Sequence, residues 1–303
     1  MTDVIRMKRI TRRGYEKYLR DHPDFIHQVE SKKRRSVKES SFGPPMDYAP
    51  ESTTVWSFPD RGNWATHSGN YRGNWSPYIP RNLILKYTQE GDTVLDQMCG
   101  SGTTLVECKL LNRNGIAIDV NPQAAMLTFM NLNFNVVSSK YQPKVHIGDA
   151  RHLNEIPNDS IDLIATHPPY AGIIPYSRRE IDGDLSALSI PNYIREIYKV
   201  AEESYRVLKC GKYCAILIGD TRKHRHYIPI AYNVMAAFLK AGFILKEDII
   251  KLQWKMKGTR ERWRGKSYDF YKIAHEHLFV FRKPESEEAL TKFKHSSSKL
   301  LFS

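Results

Sequence analysis

Between Thr93 and about Lys283 the chain alternates short apolar runs, rich in β-forming residues, with helical stretches. The apolar runs are Thr93–Met98, Gly115–Asp119, Lys144–Ile147, Ile161–Thr166, Tyr213–Gly219, Phe243–Leu252 and His277–Arg282. The helical stretches are Thr103–Leu111, Pro122–Phe134, Asn192–Leu208 and Ile228–Lys240. Strands that alternate with helices predict a parallel sheet covered on both faces. The last two runs have no helix between them, and we expect them to pair antiparallel across residues 253–275.

Polar segments flank this alternation. Residues 1–50 are expected to form a basic arm and linker, with some helix around Arg13–Gln28, and residues 1–40 hold twice as many Lys/Arg as Asp/Glu. Residues 51–285 are expected to form the single main domain. Residues 286–303 are a Ser/Lys-rich polar tail that we expect to fray.

The whole chain carries a formal net charge of +13. A basic surface favours a polyanionic partner, because neutralised phosphates release counterions, although it also suits a merely soluble protein. The four cysteines form no CxxC pair and have no zinc spacing, so we expect reduced thiols and no metal. No apolar run approaches the ~20 residues of a membrane span, and the N-terminus has no secretory signal. The sequence therefore predicts a cytoplasmic protein without a membrane partner.

The segment Val94–Thr104 predicts a strand, a glycine-rich turn and a helix start. The strand ends in the acid Asp96, and Gly100 and Gly102 allow the backbone to turn tightly and approach a ligand. The segment lacks the lysine of a phosphate-binding loop. It also lacks dinucleotide-binding spacing, since Leu105 stands at the third glycine position.

Two further acids follow later strands. Asp119 ends the second strand, where a carboxylate can accept hydrogen bonds from both hydroxyls of a ribose. Asp149 follows the third strand. Either acid alone could cap a helix or stabilise a turn. Three acids in this order favour a nucleoside-containing ligand.

A second motif ends the fourth strand, at His167-Pro168-Pro169-Tyr170. The two prolines fix their own φ angles and restrict His167, so the loop is rigid and its carbonyls have fixed directions. We expect the loop to lie beside the glycine-rich turn, where ligands bind in open α/β sheets. Without that turn, a rigid Pro-Pro corner with a buried tyrosine would be the simpler interpretation.

The glycine-rich turn followed by the Pro-Pro-Tyr loop resembles the cytosine-N4 and adenine-N6 DNA methyltransferases of restriction–modification systems. The resemblance covers roughly residues 70–283. It implies an α/β, Rossmann-like class I methyltransferase fold, whose seven-stranded, mostly parallel sheet has one antiparallel strand. It implies methyl transfer from S-adenosylmethionine to an exocyclic base amine in double-stranded DNA, with the base flipped out of the duplex.

The resemblance also assigns the cofactor contacts. Asp149 would bind the adenine amino group, with Ala150 donating from its backbone. Upstream, Ser76 and Pro80 lie where this family holds the methionine end of the cofactor. The full set of expected cofactor contacts is Ser76, Pro80, Asp96, Met98, Cys99, Gly100, Ser101, Gly102, Thr103, Thr104, Asp119, Val120, Asp149 and Ala150.

The expected catalytic residues are His167, Pro168, Pro169 and Tyr170. An exocyclic amine is a poor nucleophile because its lone pair is conjugated with the ring. Acceptors at His167 and at the Pro168 carbonyl would turn the amine toward tetrahedral geometry, and Tyr170 would stack on an extruded base. His167 departs from the family, which has Ser/Thr in cytosine enzymes and Asp/Asn in adenine enzymes. We favour cytosine N4, with adenine N6 as the alternative. With the ordinary histidine pKa of ~6.5, protonation would abolish the acceptor and lower the rate.

Several basic segments could contact DNA. Lys251–Lys272 mixes Lys/Arg with aromatic residues, as suits phosphate contact and stacking, and Arg222–His226 forms a second basic loop. Residues 171–190 and the arm 1–75 are further candidates. Each segment could instead be merely solvated.

Two other functions compete with this reading. An RNA base-amine methyltransferase can carry similar motifs, and a nucleic-acid-binding protein could use an inactive methyltransferase scaffold. Intact acids and glycines in the first motif argue against the inactive scaffold. A cognate restriction endonuclease is a possible functional partner, and the protein is expected to be a monomer or dimer.

Overall fold

The computed structural model describes residues 6–25, 43–44, 47–71, 73–136, 140–171, 181–254 and 269–298. The strands are β1 (Lys8–Arg9), β2 (Val55–Ser57), β3 (Thr93–Asp96), β4 (Asn114–Asp119), β5 (Lys144–Ile147), β6 (Ile161–Thr166), β7 (Leu208–Ile218), β8 (Thr221–Lys223), β9 (His226–Ile228), β10 (Ile244–Leu252) and β11 (His275–Arg282). The α-helices are α1 (Arg12–Asp21), α2 (Tyr78–Tyr87), α3 (Thr103–Leu110), α4 (Pro122–Asn131), α5 (Ile190–Val207) and α6 (Ile230–Lys240). Short 3-10 helices lie at Leu185–Ala187 and Leu290–Ser296.

The described strands form one large sheet and one small hairpin. The sheet has nine strands in the order β1-β5-β4-β3-β6-β7-β11-β10-β2. The five strands from β5 to β7 run parallel, and β11 runs antiparallel between β7 and β10. The predicted α/β, Rossmann-like fold is therefore confirmed, including the antiparallel pairing of the last two strands.

The strand count is larger than the seven that the sequence predicted. At one edge β1 pairs antiparallel with β5, with Arg9 opposite His146. At the other edge β2 runs parallel to β10, with Trp56 opposite Lys251. The strands β1 and β11 therefore run antiparallel to the other strands of the sheet, where one such strand was predicted. The strand β1 belongs to the predicted N-terminal arm. Edge strands of two and three residues are too short to leave an alternating apolar pattern in the sequence.

Helices cover both faces of the sheet. On one face Tyr193 of α5 and Phe238 of α6 belong to a core cluster with residues of β6 and β7. On the other face Leu83 of α2, Leu105 of α3 and Ala125 of α4 belong to a second cluster. All six residues of β6 are buried, as expected for a central parallel strand with helices on each side.

The helix expected around Arg13–Gln28 is observed as α1. The Thr11 hydroxyl caps it by accepting a hydrogen bond from the Gly14 amide at 3.1 Å. Tyr15 packs against Phe129 of α4, with ring centroids 5.2 Å apart. The arm therefore packs against the main domain through this helix.

The parallel strands bring several loops to one edge of the sheet. The loops after β3, β4 and β6 all leave from carboxyl strand ends, and so does the β8–β9 hairpin after β7. Ligands of open α/β sheets bind at this edge, next to the point where the strand order reverses. In this sheet the order reverses between β3 and β6, on either side of which the two predicted motifs lie.

Candidate active site

A cleft opens at the carboxyl edge of the sheet. It holds about 810 Å³ of non-atom space, a volume that includes the solvent in its open mouth. Its lining includes eleven of the residues predicted from sequence, which are Asp96, Met98, Cys99, Gly100, Ser101, Asp119, Val120, Asp149, Ala150, His167 and Pro169. The structure thus brings parts of both predicted motifs into one cavity.

Seven predicted residues do not line the cleft: Ser76, Pro80, Gly102, Thr103, Thr104, Pro168 and Tyr170. Thr104 contacts a lining residue, whereas Ser76 contacts a residue outside the lining. The Thr104 hydroxyl donates to Asp96 at 2.5 Å, and the Ser76 hydroxyl donates to the Arg61 carbonyl at 2.7 Å. Pro80 is buried within α2.

Asp119 lies where β4 ends, and two backbone amides orient its carboxylate. Gly100 N–H donates to Oδ2 at 2.8 Å, and Asn121 N–H donates to Oδ1 at 2.9 Å. Each carboxylate oxygen has about two acceptor sites, so both oxygens retain capacity for a ligand. Burial raises the pKa of Asp119 to about 7, against the opposing effect of the two amides.

The glycine-rich turn depends on two residues with positive φ. Gly100 has φ +54°, and a Cβ there would lie 2.9 Å from the ring of Tyr71. Gly102 has φ +81°, and a Cβ there would lie 2.6 Å from the methyl group of Thr128. The Thr128 hydroxyl also donates to the Gly100 carbonyl at 2.9 Å. The turn is therefore packed tightly from both sides and admits no side chain at either position.

Asp96 is a buried residue whose carboxylate joins the two motifs by hydrogen bonds. Its carboxylate accepts hydrogen bonds from Thr104 on α3 and from Thr166 at the end of β6, the latter at 2.8 Å. The Met98 amide donates to it at 3.3 Å. Burial raises the pKa of Asp96 to about 6, and the three donors oppose that effect. Asp96 thereby fixes the glycine-rich turn relative to the strand that carries His167.

Asp149 already has a cationic partner. Arg151 donates to both carboxylate oxygens, with Nη2 at 2.6 Å from Oδ2, and it also bonds Glu196 of α5. Asp149 nevertheless lines the cleft together with Ala150. The arginine holds the carboxylate in one orientation, while an adenine contact at this position stays a prediction.

One wall of the cleft comes from residues before α2. We call residues 61–71 and 73–76 the cover loop. Four of its members line the cleft, namely Tyr71, Gly73, Asn74 and Trp75. Asn74 accepts a hydrogen bond from the Thr103 hydroxyl, which joins the loop to the start of α3. The resemblance assigned Ser76 of this loop to the cofactor site, but Ser76 does not line the cleft, and the four residues that do were not among the predicted cofactor contacts.

A buried carboxylate on α3 anchors the cover loop. Glu107 has no exposed surface, and it accepts from Trp64 Nε1 at 2.7 Å and from His67 Nε2 at 2.6 Å. Its other oxygen accepts from Arg81 of α2 at 2.7 Å. Burial lowers the pKa of His67, although Glu107 opposes this effect. A single side chain therefore ties the cover loop and α2 to the helix that follows the glycine-rich turn.

The loop after β6 places His167 and Pro169 in the cleft. His167 Nε2 lies 2.9 Å from the Tyr170 hydroxyl, which donates in turn to Glu276 of β11. Lys251 of β10 donates to the other Glu276 oxygen at 2.8 Å. The His167 ring also stacks against Trp75, with centroids 6.0 Å apart.

The environment of His167 corrects the expected pH dependence. Burial lowers the pKa of His167 to about 4, and Lys251 adds to this effect, whereas Glu276 and a backbone contact with Gly73 oppose it. The imidazole is therefore neutral well below pH 6.5. The expectation of a rate loss near that pH assumed the pKa of a solvated histidine, which burial lowers at this site.

Several cleft residues have no signal in the sequence motifs. Gln97 and Asn121 are immediate neighbours of the predicted acids and line the cleft with them. Gly183, Asp184 and Leu185 close the wall near Asp149. These three lie within residues 171–190, which the sequence considered only for DNA contact, and residues 172–180 lie outside the described part of the chain.

A basic hairpin, β8–β9 with its turn (residues 221–228), follows β7 and lies beside the Pro-Pro-Tyr loop. A Cβ on Gly219, just before it, would lie 3.2 Å from the Tyr170 hydroxyl oxygen. Arg222 lies 4.7 Å from the Phe270 ring centroid and donates to the Tyr271 carbonyl at 2.8 Å. The exposed basic hairpin thus contacts the end of the basic segment Lys251–Lys272. Residues 255–268 of that segment lie outside the described residues.

The described residues contain no candidate metal site and no candidate membrane-spanning helix. No group of three or more His, Cys, Asp or Glu side chains there is arranged to hold a metal ion. None of the helices described is long and apolar enough to cross a membrane. The four cysteines are free thiols, and only Cys210 is exposed.

Comparison with known proteins shows partial relatives. A tRNA (guanine(10)-N2)-dimethyltransferase of Methanocaldococcus jannaschii is 34% identical over 126 residues, which are 40% of this chain and 34% of that protein. The Type II methyltransferase M.MjaII of the same organism is 24% identical over 159 residues, 48% of this chain and 28% of its own length. A SAM-dependent methyltransferase structure from Methanosarcina mazei aligns with a TM-score of 0.46 at 16% identity, covering 67% of this chain and 98% of that one. The chain thus spans about a third or less of the length of these two sequence relatives.

The family assignment rests on a match over most of the chain. The sequence model of a DNA methylase family, which unites the N6 and N4 methyltransferases, matches residues 9–130 and 161–300. The cofactor is S-adenosylmethionine, and the cleft fits its nucleoside part: Asp119 keeps acceptor capacity for a ribose, and a Cβ at Gly100 would meet the ring of Tyr71, which also lines the cleft. The sequence-based recognition is confirmed, and the chain belongs to the N6/N4 DNA methylase family.

Proposed function

We propose that the protein transfers a methyl group from S-adenosylmethionine to an exocyclic amine of a base in duplex DNA, with cytosine N4 as the target atom. One observation carries the proposal. A single cleft is lined both by Asp119 and Gly100, which suit the nucleoside part of the cofactor, and by His167 and Pro169 of the Pro-Pro-Tyr loop. Donor and acceptor would therefore meet within one cavity.

The chain's own residues would prepare the amine for attack. Bound S-adenosylmethionine supplies an electrophilic methyl group on a positively charged sulfur. An acceptor on His167 and the carbonyl of Pro168 would each take one amine hydrogen bond and direct the nitrogen lone pair along the line of attack. The amine nitrogen would gain the N–C bond to the methyl group of the cofactor, whose sulfur keeps the electron pair of the broken S–C bond, and would release one hydrogen as a proton to water. Placement and directed hydrogen bonding suffice, without a covalent enzyme intermediate.

A base inside a duplex cannot reach this cleft, so we infer base flipping. Tyr170 is held through its hydroxyl by His167 and Glu276, which fixes its ring next to the cleft. A ring fixed in this way could stack on an extruded base at little entropic cost. The exposed basic hairpin beside Tyr170 would contact the phosphates of the same strand.

The choice of cytosine over adenine rests on the residue type at position 167. The position holds no carboxylate or carboxamide, unlike the adenine enzymes that the sequence resembles. A neutral imidazole presents one acceptor nitrogen, and the lowered pKa keeps it neutral at physiological pH. Adenine N6 is the alternative within the same chemistry. In a restriction–modification pair, such methylation would protect DNA from a cognate endonuclease.

A second candidate is methylation of an exocyclic amine in RNA. The observation that favours it is the similarity to a tRNA (guanine(10)-N2)-dimethyltransferase. The chemistry at the amine would be the same, because guanine N2 is also conjugated with its ring. The two candidates differ in the polymer that the basic surface binds, and an activity assay separates them directly.

The test uses the full chain with radiolabelled S-adenosylmethionine, and with duplex DNA and tRNA as parallel substrates. Label in DNA that migrates with N4-methylcytosine after nuclease digestion is the expected result. N6-methyladenine would keep the DNA function and correct the base, whereas label only in tRNA would replace DNA by RNA. An Asp119→Ala variant, expected to lose cofactor binding, is the control for contaminating methylases. No incorporation into either polymer would refute the proposal.

A further inference from the structure

We propose that Glu276 is a positioning residue that decides which nitrogen of His167 carries the proton, leaving Nδ1 as a hydrogen-bond acceptor. The functional consequence rests on the proposed methyl transfer. Glu276 lies on β11, remote in sequence from both motifs, and only 6% of its surface is exposed. None of the sequence motifs pointed to it.

The proposal starts from a row of hydrogen-bonded side chains. His167 Nε2 lies 2.9 Å from the Tyr170 hydroxyl oxygen, and that hydroxyl donates to Oε1 of Glu276. Oε2 of the same carboxylate accepts from Lys251 Nζ at 2.8 Å. The side chains of Lys251 and Glu276 are 17% and 7% exposed, so little water competes for these contacts.

Counting hydrogens along this row determines the tautomer. An ionised carboxylate has no hydrogen to donate, so the Tyr170 hydroxyl gives its single hydrogen to Glu276. The tyrosine oxygen can then only accept from His167, which requires a hydrogen on Nε2. Because a neutral imidazole has one N–H, Nδ1 carries a lone pair. The opposite tautomer would set the Nε2 lone pair against an oxygen lone pair at 2.9 Å.

The charge states agree with this count. Burial alone would raise the pKa of Glu276, but Lys251, His167 and Tyr170 outweigh it and lower the pKa to about 2. The pKa of His167 is lowered mainly by burial. Near neutral pH the row therefore contains a carboxylate, a phenol and a neutral imidazole.

The other ring nitrogen, Nδ1, has a lone pair that can accept a hydrogen bond from a ligand. Nδ1 of His167 is buried and makes no hydrogen bond of normal geometry within the described part of the chain, although the Gly73 backbone lies close enough to raise the pKa of the ring, which lines the cleft. Buried polar atoms are rarely left unpaired, and functional sites are among the exceptions. We infer that the hydrogen of the target base amine completes this pairing.

The first test needs no substrate. Histidine labelled with ¹⁵N would be incorporated into the full chain, and nitrogen–proton correlations recorded at pH 7.5, with the His167→Gln variant used to assign the signals. The expected pattern has a protonated Nε2 and a bare Nδ1. A protonated Nδ1, turned toward the Gly73 backbone, would overturn the proposal whatever any variant does.

The second test uses the variant Glu276→Gln, which should reverse the direction of the hydrogen bonds along the row. Lys251 can only donate, so it retains the amide oxygen, and the amide NH₂ then faces Tyr170. The tyrosine can then donate to His167, which would move the histidine proton to Nδ1. We expect this tautomer change, a kcat lowered at least about tenfold, and unchanged affinity for S-adenosylmethionine. Persistence of the Nε2–H tautomer in this variant would contradict the role of Glu276.

The variant Glu247→Gln is the matched control. It makes the same chemical change on the neighbouring strand β10, at a partly buried site outside the row. We expect the tautomer and the rate of the control to equal those of the wild type. Because the tautomer is read in the free protein, a wild type that methylates no DNA would refute the proposed function without deciding the role of Glu276.

Discussion

The substitution Glu107→Gln tests whether one buried carboxylate holds the cover loop in place. Glutamine has nearly the same shape and keeps one acceptor oxygen for Trp64 and His67, which donate at 2.7 and 2.6 Å. Its NH₂ group would face the guanidinium of Arg81, which now donates to Glu107 at 2.7 Å. The variant therefore loses a charge pair and sets two donors against each other in a buried place.

The expected cost follows from the burial of the pair. Breaking a buried ion pair costs ~3–5 kcal/mol, and the Arg81 side chain is 14% exposed, so we expect the lower end, about 3 kcal/mol. For a domain of this size, ~2 °C per kcal/mol gives a melting temperature about 6 °C lower. Since the cover loop lines the cleft, we also expect weaker binding of S-adenosylmethionine.

Thermal unfolding followed by circular dichroism, with titration calorimetry for the cofactor, measures both effects. Glu16→Gln is the matched control, because Glu16 pairs with Arg12 on the exposed face of α1 and its loss should change neither quantity measurably. A Glu107→Gln melting temperature within about 2 °C of the wild type would refute the claim that this network anchors the loop.

Three further predictions follow from the cleft. Burial raises the pKa of Asp119 to about 7, and its ionised form accepts ribose hydroxyls more strongly than its protonated form. Affinity for 5′-methylthioadenosine should therefore fall up to about tenfold for each pH unit below 7. Calorimetry between pH 8 and 6 checks this, and Asp119→Asn should abolish the pH dependence. Gly100→Ala places a Cβ 2.9 Å from Tyr71 at φ +54° and should lower the free energy of unfolding by ~1–2 kcal/mol and weaken cofactor binding, whereas Gly69→Ala, whose Cβ meets Arg61 at 3.4 Å, should bind the cofactor normally. With the pKa of His167 lowered to about 4, kcat should stay level through pH 6.5, and His167→Ala should lower it ~100-fold; a titration with a midpoint near 6.5, or an unchanged rate in the variant, would contradict the assigned role.

The central elements were predictable because their signals are local. The apolar runs that predicted β5 and β6 match the observed strands end for end. The helices α3 to α6 begin within two residues of their predicted starts. Central strands and amphipathic helices bury a regular fraction of their own residues, so their periodicity is visible in the sequence itself. The edge strands β1 and β2 are too short for any periodicity and exist because a neighbouring strand offers hydrogen bonds.

The residues of the site also fall into those that local sequence predicted and those that it did not. Asp96, Asp119 and His167 were recognisable because each ends or directly follows a strand, within a short motif. Trp75 and Glu276 were not, since each reaches the site from a distant segment. Nothing near Glu276 in sequence indicates that its carboxylate would meet Tyr170.

The amino-acid sequence by itself determined the alternating α/β core, the two motif loops and the acids that end their strands. Only the tertiary structure decided the electrostatic state of the site: the neutral His167, the raised pKa of Asp119 and the anchoring of the cover loop by Glu107. The physical reason is that pKa values and hydrogen-bond partners depend on burial and on charges brought together from distant segments. Local sequence patterns record which face of an element is buried, but not which side chains meet there.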